Sequence, residues 1–158
     1  MAKPKFTFTM DLQPAAVPHL LYGKLKFDDG CGKGVVFEAT SGQPRHQYPK
    51  AWLTPRKGCL PPTQVIKQLY TVNTQALFMP NTQGVGGDFF AIAPFSVDLG
   101  AVNRGDFGIH LDSNYPQSPG SAGCIVIRNK QHFQQVRDLM KRLNSQRIKS
   151  VDLEVIYV

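Results

Sequence analysis

"GIHLDSNYPQSPGSAGCIVI", residues 108–127, joins two apolar segments through a loop of small, polar and turn-forming residues. His110 stands near one end and Cys124 near the other, fourteen positions apart. Both flanks read as short strands, and successive strand side chains point to opposite faces. Phe107, Ile109 and Leu111 then share an apolar face and His110 points away from it. On the far flank Ile125 and Ile127 take one face while Cys124 and Val126 take the other. Alternation thus frees both reactive side chains from the core.

Working outward, most of the chain has the same short-element character. "KFTFTMDL" (5–12) alternates polar and apolar positions as a strand does. "HLLYGKLKFDD" (19–29) and "VVFEATSG" (35–42) read as a hairpin around the glycine-rich turn "DDGCGKG" (28–34). Residues 43–62 carry five prolines without periodicity and read as a long ordered loop. "TQVIKQLYTVN" (63–73) fits helix or strand, whereas "QALFMPN" and "DFFAIAPFSVDL" (88–99) read as strands. One helix stands out after the cysteine: from Asn129 as N-cap, Phe133, Val136, Leu139, Met140 and Leu143 fall on one face. "SVDLEVIYV" closes the chain as a strand. The expectation is one mainly β domain over residues 1–158.

Composition agrees with a folded domain: 158 residues, 42% hydrophobic and 18% charged, with 14 glycines and 12 prolines that favour many short elements. The formal charge of +7 suits anionic partners, but the basic residues are scattered and no run of five occurs. No segment approaches the roughly 20 apolar residues of a membrane span, and the N-terminal stretch has no apolar region of a secretory signal. The three cysteines leave Cys124 over if Cys31 and Cys59 pair, and neither Cys-x-x-Cys nor zinc-like spacing is present. No metal or cofactor is expected.

A cysteine nucleophile needs an imidazole to accept its proton, and that imidazole needs a third group to orient it. Candidates for the orienting group are the Leu111 carbonyl, Asp112 and Asp106. The small residues of "GSAGC" (120–124) allow substrate close to sulfur and offer the N–H groups of Gly123 and Cys124 to an oxyanion.

The stretch "IHLDSNYPQSPGSAGCIVIRNKQHF" resembles the signature of the YkuD-type L,D-transpeptidases through His110, Asn114, Pro116, Ser118, Gly120, Ser121, Gly123, Cys124, Ile125 and Asn129. Upstream, "VVFEATSGQ" and "YPKAWLTPRKGCLPP" are similar to that family's strand, turn and Thr-Pro-x-Gly segment. Two positions depart from the pattern: Ala122 lies between serine and glycine, and Val126 replaces an arginine, with Arg128 two residues further on. The resemblance implies a β-sandwich or open barrel with one amphipathic helix after the cysteine and a C-terminal strand. It further implies a peptidoglycan-acting cysteine acyltransferase or hydrolase. Cys124 would be the nucleophile, His110 the base oriented by the Leu111 carbonyl, and stem peptides the substrate. Ser121, Asn114, Arg104 and Arg128 are the expected substrate contacts. Family enzymes act at the cell wall or in the periplasm, so a chain without a visible signal would arrive as a phage or injected effector protein. Two other readings remain: a basic module that binds nucleic acid or anionic wall polymer, and a silent relative that only binds stem peptides. Nucleic acid is not the expected partner.

Overall fold

Alternation in "KFTFTM" sets the first strand of the computed structural model: in β1 (Lys5–Met10), Phe6, Phe8 and Met10 are buried and the residues between them are only partly covered. The structure describes residues 3–158; Met1 and Ala2, at the start of the stretch read for a signal, lie outside the described residues. β1 pairs antiparallel with β2 (Gly23–Asp28), which forms the expected hairpin with β3 (Gly34–Ser41). On its other side β1 runs parallel to the last strand, β11 (Ser150–Tyr157).

The ambiguous segment 63–73 is both things in turn. A short α1 (Thr63–Ile66) ends where Lys67 adopts a left-handed conformation, and β4 (Tyr70–Asn73) follows. The proline-rich loop before it holds a single 3-10 turn, Ala51–Leu53. Next come β5 (Leu77–Met79), β6 (Gly87–Ala93) and a two-stranded ribbon of β7 (Ser96–Asp98) and β8 (Asn103–Gly105). β9 (Gly108–Leu111) and β10 (Ile125–Ile127) flank the loop quoted first.

The main sheet has the order β4-β11-β1-β2-β3-β10-β9-β6-β5. β4 also pairs with β6 through Thr71↔Ala93 and Val72↔Ile92, so eight strands close into a barrel. The expected sandwich or open barrel is corrected on this point: mutual pairing removes two edges that would otherwise stay unsatisfied.

Register defines the interior. Phe6 opposes Phe27 and Leu153, Phe8 opposes Leu25 and Val155, and Val72 opposes Val151 and Ile92. Phe90, Ile109 and Ile125 continue this surface across β6, β9 and β10. Against it packs α2 (Lys130–Ser145), the expected helix, with Phe133, Val136, Leu139, Met140 and Leu143 all buried in the same core. Its N-terminus is capped by the Asn129 side chain, which accepts the His132 N–H at 3.0 Å. Phe133 meets Phe90 with ring centroids 6.2 Å apart. Five such side chains, at about 1.5–3 kcal/mol each, make the helix integral to the core.

Among the described residues no helix is long and apolar enough to cross a membrane.

Candidate active site

β9 and β10 are parallel neighbours, a pairing that needs a crossover of about a dozen residues; the loop 112–124 supplies it. Ile125 pairs with Ile109, and Val126 with His110. Residues in register share a face, so His110, Val126 and Cys124, two positions before Val126, project to one side. With strands about 4.8 Å apart and a rise of about 3.3 Å per residue, Cys124 and His110 are diagonal neighbours separated by roughly 8 Å at Cα.

Ile109, Ile125 and Ile127 belong to the core, so the His110 side is the outer wall of the barrel. It is not open to solvent, because loops lie over it. His110 is only 5% exposed, Val126 is fully buried and Cys124 is half-buried. Alternation separated the two groups from the core correctly but could not foresee this second layer.

His110 Nδ1 lies 2.8 Å from the Leu111 carbonyl oxygen. A carbonyl only accepts, so Nδ1 carries the proton and Nε2 holds the basic lone pair. Among the three candidate orienting groups, Leu111 therefore has the contact. Asp112 instead closes the loop: it is buried, and its Oδ2 accepts the Gly120 N–H at 2.8 Å. The Asp106 carbonyl accepts from Cys124 Sγ at 3.8 Å. The Phe89 ring stacks on the His110 imidazole at 5.7 Å and 26°.

Burial pulls the His110 pKa below its usual value, opposed by the Leu111 hydrogen bond. Burial pushes the Cys124 thiol up to about 11, opposed by the Gly108 N–H and the positive Arg104 and reinforced by Asp106. At neutral pH burial leaves Cys124 a neutral thiol and His110 a neutral imidazole.

Ser121 holds the last turn before the cysteine. Its hydroxyl donates to the Cys124 carbonyl at 2.6 Å and accepts from the Gly42 N–H at 3.1 Å and the Gly123 N–H at 3.3 Å. The Gly123 N–H, expected to be open to an oxyanion, therefore already has a partner, though a distant one. Ser41 Oγ donates to the Gly123 carbonyl at 3.0 Å from the other side. Glycine is required here, since φ is +128° and a Cβ would stand 2.6 Å from Arg104 Nη2 and 2.7 Å from the Phe107 ring.

The cations are not where the sequence put them. Arg104 is buried, and its guanidinium donates to four carbonyls: Trp52 and Cys59 from Nη1, both at 2.8 Å, and Gly58 at 3.0 Å and Ala122 at 2.8 Å from Nη2. It is absent from the cleft lining, and Nη1 and Nη2 already donate to carbonyls, whereas the sequence reading set it against substrate. Arg128 bonds Glu38 at 2.8 Å and lies over the rings of Tyr22 and Tyr115, at 4.1 Å and 5.6 Å. It too is absent from the cleft lining.

The cleft itself has a volume of about 990 Å³ and is lined by Cys124 and His110 together with Ser121 and Asn114. Phe89, Phe107, Leu77 and Phe95 give it an apolar wall, and Arg56 and Asp106 bring one charge of each sign. Phe89 and Arg56 were missed by sequence reasoning. Phe89 belongs to a strand whose pairing with β9, Phe89↔His110, has no local signal, and Arg56 reads as ordinary surface charge. Trp52, in the proline-rich loop, stacks on Tyr157 at 6.0 Å. Cys31 lies on the exposed turn, and Cys59 is buried with its thiol pushed up to about 11 by desolvation. Among the described residues, no cluster of three histidine, cysteine or acidic side chains could hold a metal ion.

No family model matches this chain, and no curated protein or solved structure matches it either.

Proposed function

We propose that the protein is a cysteine acyltransferase or hydrolase acting on peptidoglycan stem peptides. The observation that carries the chemistry is one face of β9–β10: it presents Cys124 and a Leu111-oriented His110 to the same cleft. The stem-peptide substrate rests on the resemblance of residues 108–133 to the L,D-transpeptidase signature.

His110 Nε2 takes the Sγ proton as sulfur attacks the scissile carbonyl, so an S–C bond forms and the carbonyl electron pair moves onto oxygen. Because burial keeps both groups neutral, this proton transfer is part of the attack, and the imidazole is already unprotonated and able to accept. The oxyanion would find its donors at the nucleophile's own turn, where the long Ser121 contact to the Gly123 N–H is readily replaced. Collapse breaks the C–N bond, and the leaving amine receives the proton from His110. Water or an acceptor amine then attacks the thioester, giving its proton to His110, and sulfur leaves and recovers that proton. In the cleft Asn114 is a polar contact for the peptide, and Arg56 is a cation able to hold a substrate carboxylate.

The test is chromatography with mass spectrometry of purified muropeptides incubated with wild type and with Cys124→Ala. Wild type should shorten or cross-link tetrapeptide species and the variant should not. An unchanged profile with wild type would remove this function.

A further inference from the structure

Arg104 is a buried full charge that meets no carboxylate among the described residues. All four of its recorded hydrogen bonds go to carbonyl oxygens, and its remaining contact is the Phe107 ring at 5.4 Å. Removing a guanidinium from water is unfavourable, and dipoles compensate it less fully than an opposite charge does. An apolar residue of similar volume would commonly serve such a site as well or better. What distinguishes this position is its neighbour: Nη2 grips the Ala122 carbonyl and touches the Cα side of Gly123, the residue that precedes the nucleophile.

The other three carbonyls belong to Trp52, Gly58 and Cys59, so one side chain ties the proline-rich loop to the nucleophile loop. The titratable groups facing it are Cys59, Tyr157, Tyr70 and Cys124, all uncharged at neutral pH. Around Cys124 the charged or titratable groups are Arg104, Asp106 and, across the cleft wall, His110. Asp106 is exposed and its charge is screened by water, whereas that of Arg104 is not.

We propose that Arg104 is the positioning residue of the nucleophile: its fork fixes the Ala122 carbonyl and so the direction of the Gly123–Cys124 unit, and its uncompensated charge favours the anion that forms at that turn during attack. The inference rests on the thiol-enzyme reading above and assigns Arg104 an action through Cys124, with no contact to substrate.

Two properties are separable by substitution. Arg104→Met keeps length and removes the charge; Arg104→Lys keeps the charge and loses the planar fork. The measurement is the rate of iodoacetamide alkylation at pH 9, read by mass spectrometry on the tryptic peptide carrying Cys124, beside muropeptide turnover. The Arg104 charge lowers the Cys124 thiol pKa, though less than the Gly108 N–H does, so Arg104→Met should alkylate about threefold more slowly than wild type. A merely structural role predicts the opposite: loosening the loop exposes the sulfur, and alkylation stays equal or speeds up. Arg104→Lys should keep the alkylation rate within about twofold of wild type yet turn over at least tenfold more slowly, an order-of-magnitude loss expected of a misaligned nucleophile. The proposal is overturned by unchanged or faster alkylation in Arg104→Met, or by full turnover in Arg104→Lys. The second result decides the matter if the methionine variant does not fold. Because alkylation needs no substrate, wild type that ignores muropeptides would defeat the proposed function while the alkylation ratio still reads the field of Arg104.

Discussion

Gly108→Ala is the perturbation that most sharply probes how the site is packed. Gly108 begins β9, directly before Ile109 and His110, and its backbone N–H lowers the thiol pKa of Cys124. A Cβ at this position would stand 2.6 Å from Phe89 Cε1 and closer still to Cζ. Carbon atoms in good contact lie about 3.5–4.0 Å apart, so the ring must retreat by about 1 Å. The same ring is stacked on His110 at 5.7 Å, and Phe89 is buried in the wall of the cleft, so its retreat disturbs the imidazole. Overpacking of this kind costs about 1–3 kcal/mol, which for a domain of this size is a Tm loss of roughly 3–10 °C. Turnover should fall more than stability alone explains, because a misplacement of about 1 Å can cost on the order of 100-fold. The assay is a double-mutant cycle read by urea unfolding, with Phe89→Leu as the second change. Leucine vacates the space the new methyl needs, so Gly108→Ala/Phe89→Leu should be more stable than the sum of the single effects predicts, by about 1 kcal/mol or more. Additive energies, or a Gly108→Ala variant as stable as wild type, would refute the stacked arrangement of glycine, phenylalanine and histidine.

Three further outcomes follow from other parts of the molecule. Asn129→Ala removes the side chain that caps α2 and should cost about 1 kcal/mol by urea unfolding, without changing turnover. Asp112→Ala leaves the Gly120 N–H without its partner and should cost about 1–3 kcal/mol, and limited proteolysis should then cut within residues 113–120. Burial holds the folded-state pKa of His110 below its unfolded value, so acid protonates the unfolded chain first. The stability tied to this group is therefore complete above about pH 6.5 and is lost as pH falls; His110→Gln should flatten that part of a stability–pH curve. For the same reason the acid limb of turnover should lie below the ordinary histidine range.

The elements of this fold were legible where a local period controls burial. The stripe Phe133, Val136, Leu139, Met140 and Leu143 marked α2, and alternation in "KFTFTM" marked β1. The turn "DDGCGKG" marked the β2–β3 hairpin. Closure of the barrel was not legible, because it depends on Val72 meeting Ile92, a pairing with no turn between the partners to announce it. The site divides in the same way. His110, Cys124 and the Leu111 carbonyl were readable because all lie on, or beside, two strands of known phase. The roles of Arg104 and Arg128 were not: whether an arginine meets solvent, a carboxylate or four carbonyls is decided by loops remote in sequence. Residues 52–59 bury Arg104, and Glu38 and Tyr22 engage Arg128. Phe89 belongs with these, since only the β6–β9 pairing brings its ring to His110.

The central claim is that Cys124 attacks with His110 as its base, and the acyl-enzyme is its most direct trace. Intact-protein mass spectrometry during turnover of a tetrapeptide muropeptide should show wild type heavier by the acyl fragment, with the added mass on the peptide carrying Cys124. The adduct should be absent in Cys124→Ala and should form far more slowly in His110→Ala. Turnover without any adduct on Cys124, or an adduct that forms at the wild-type rate without His110, would contradict the account.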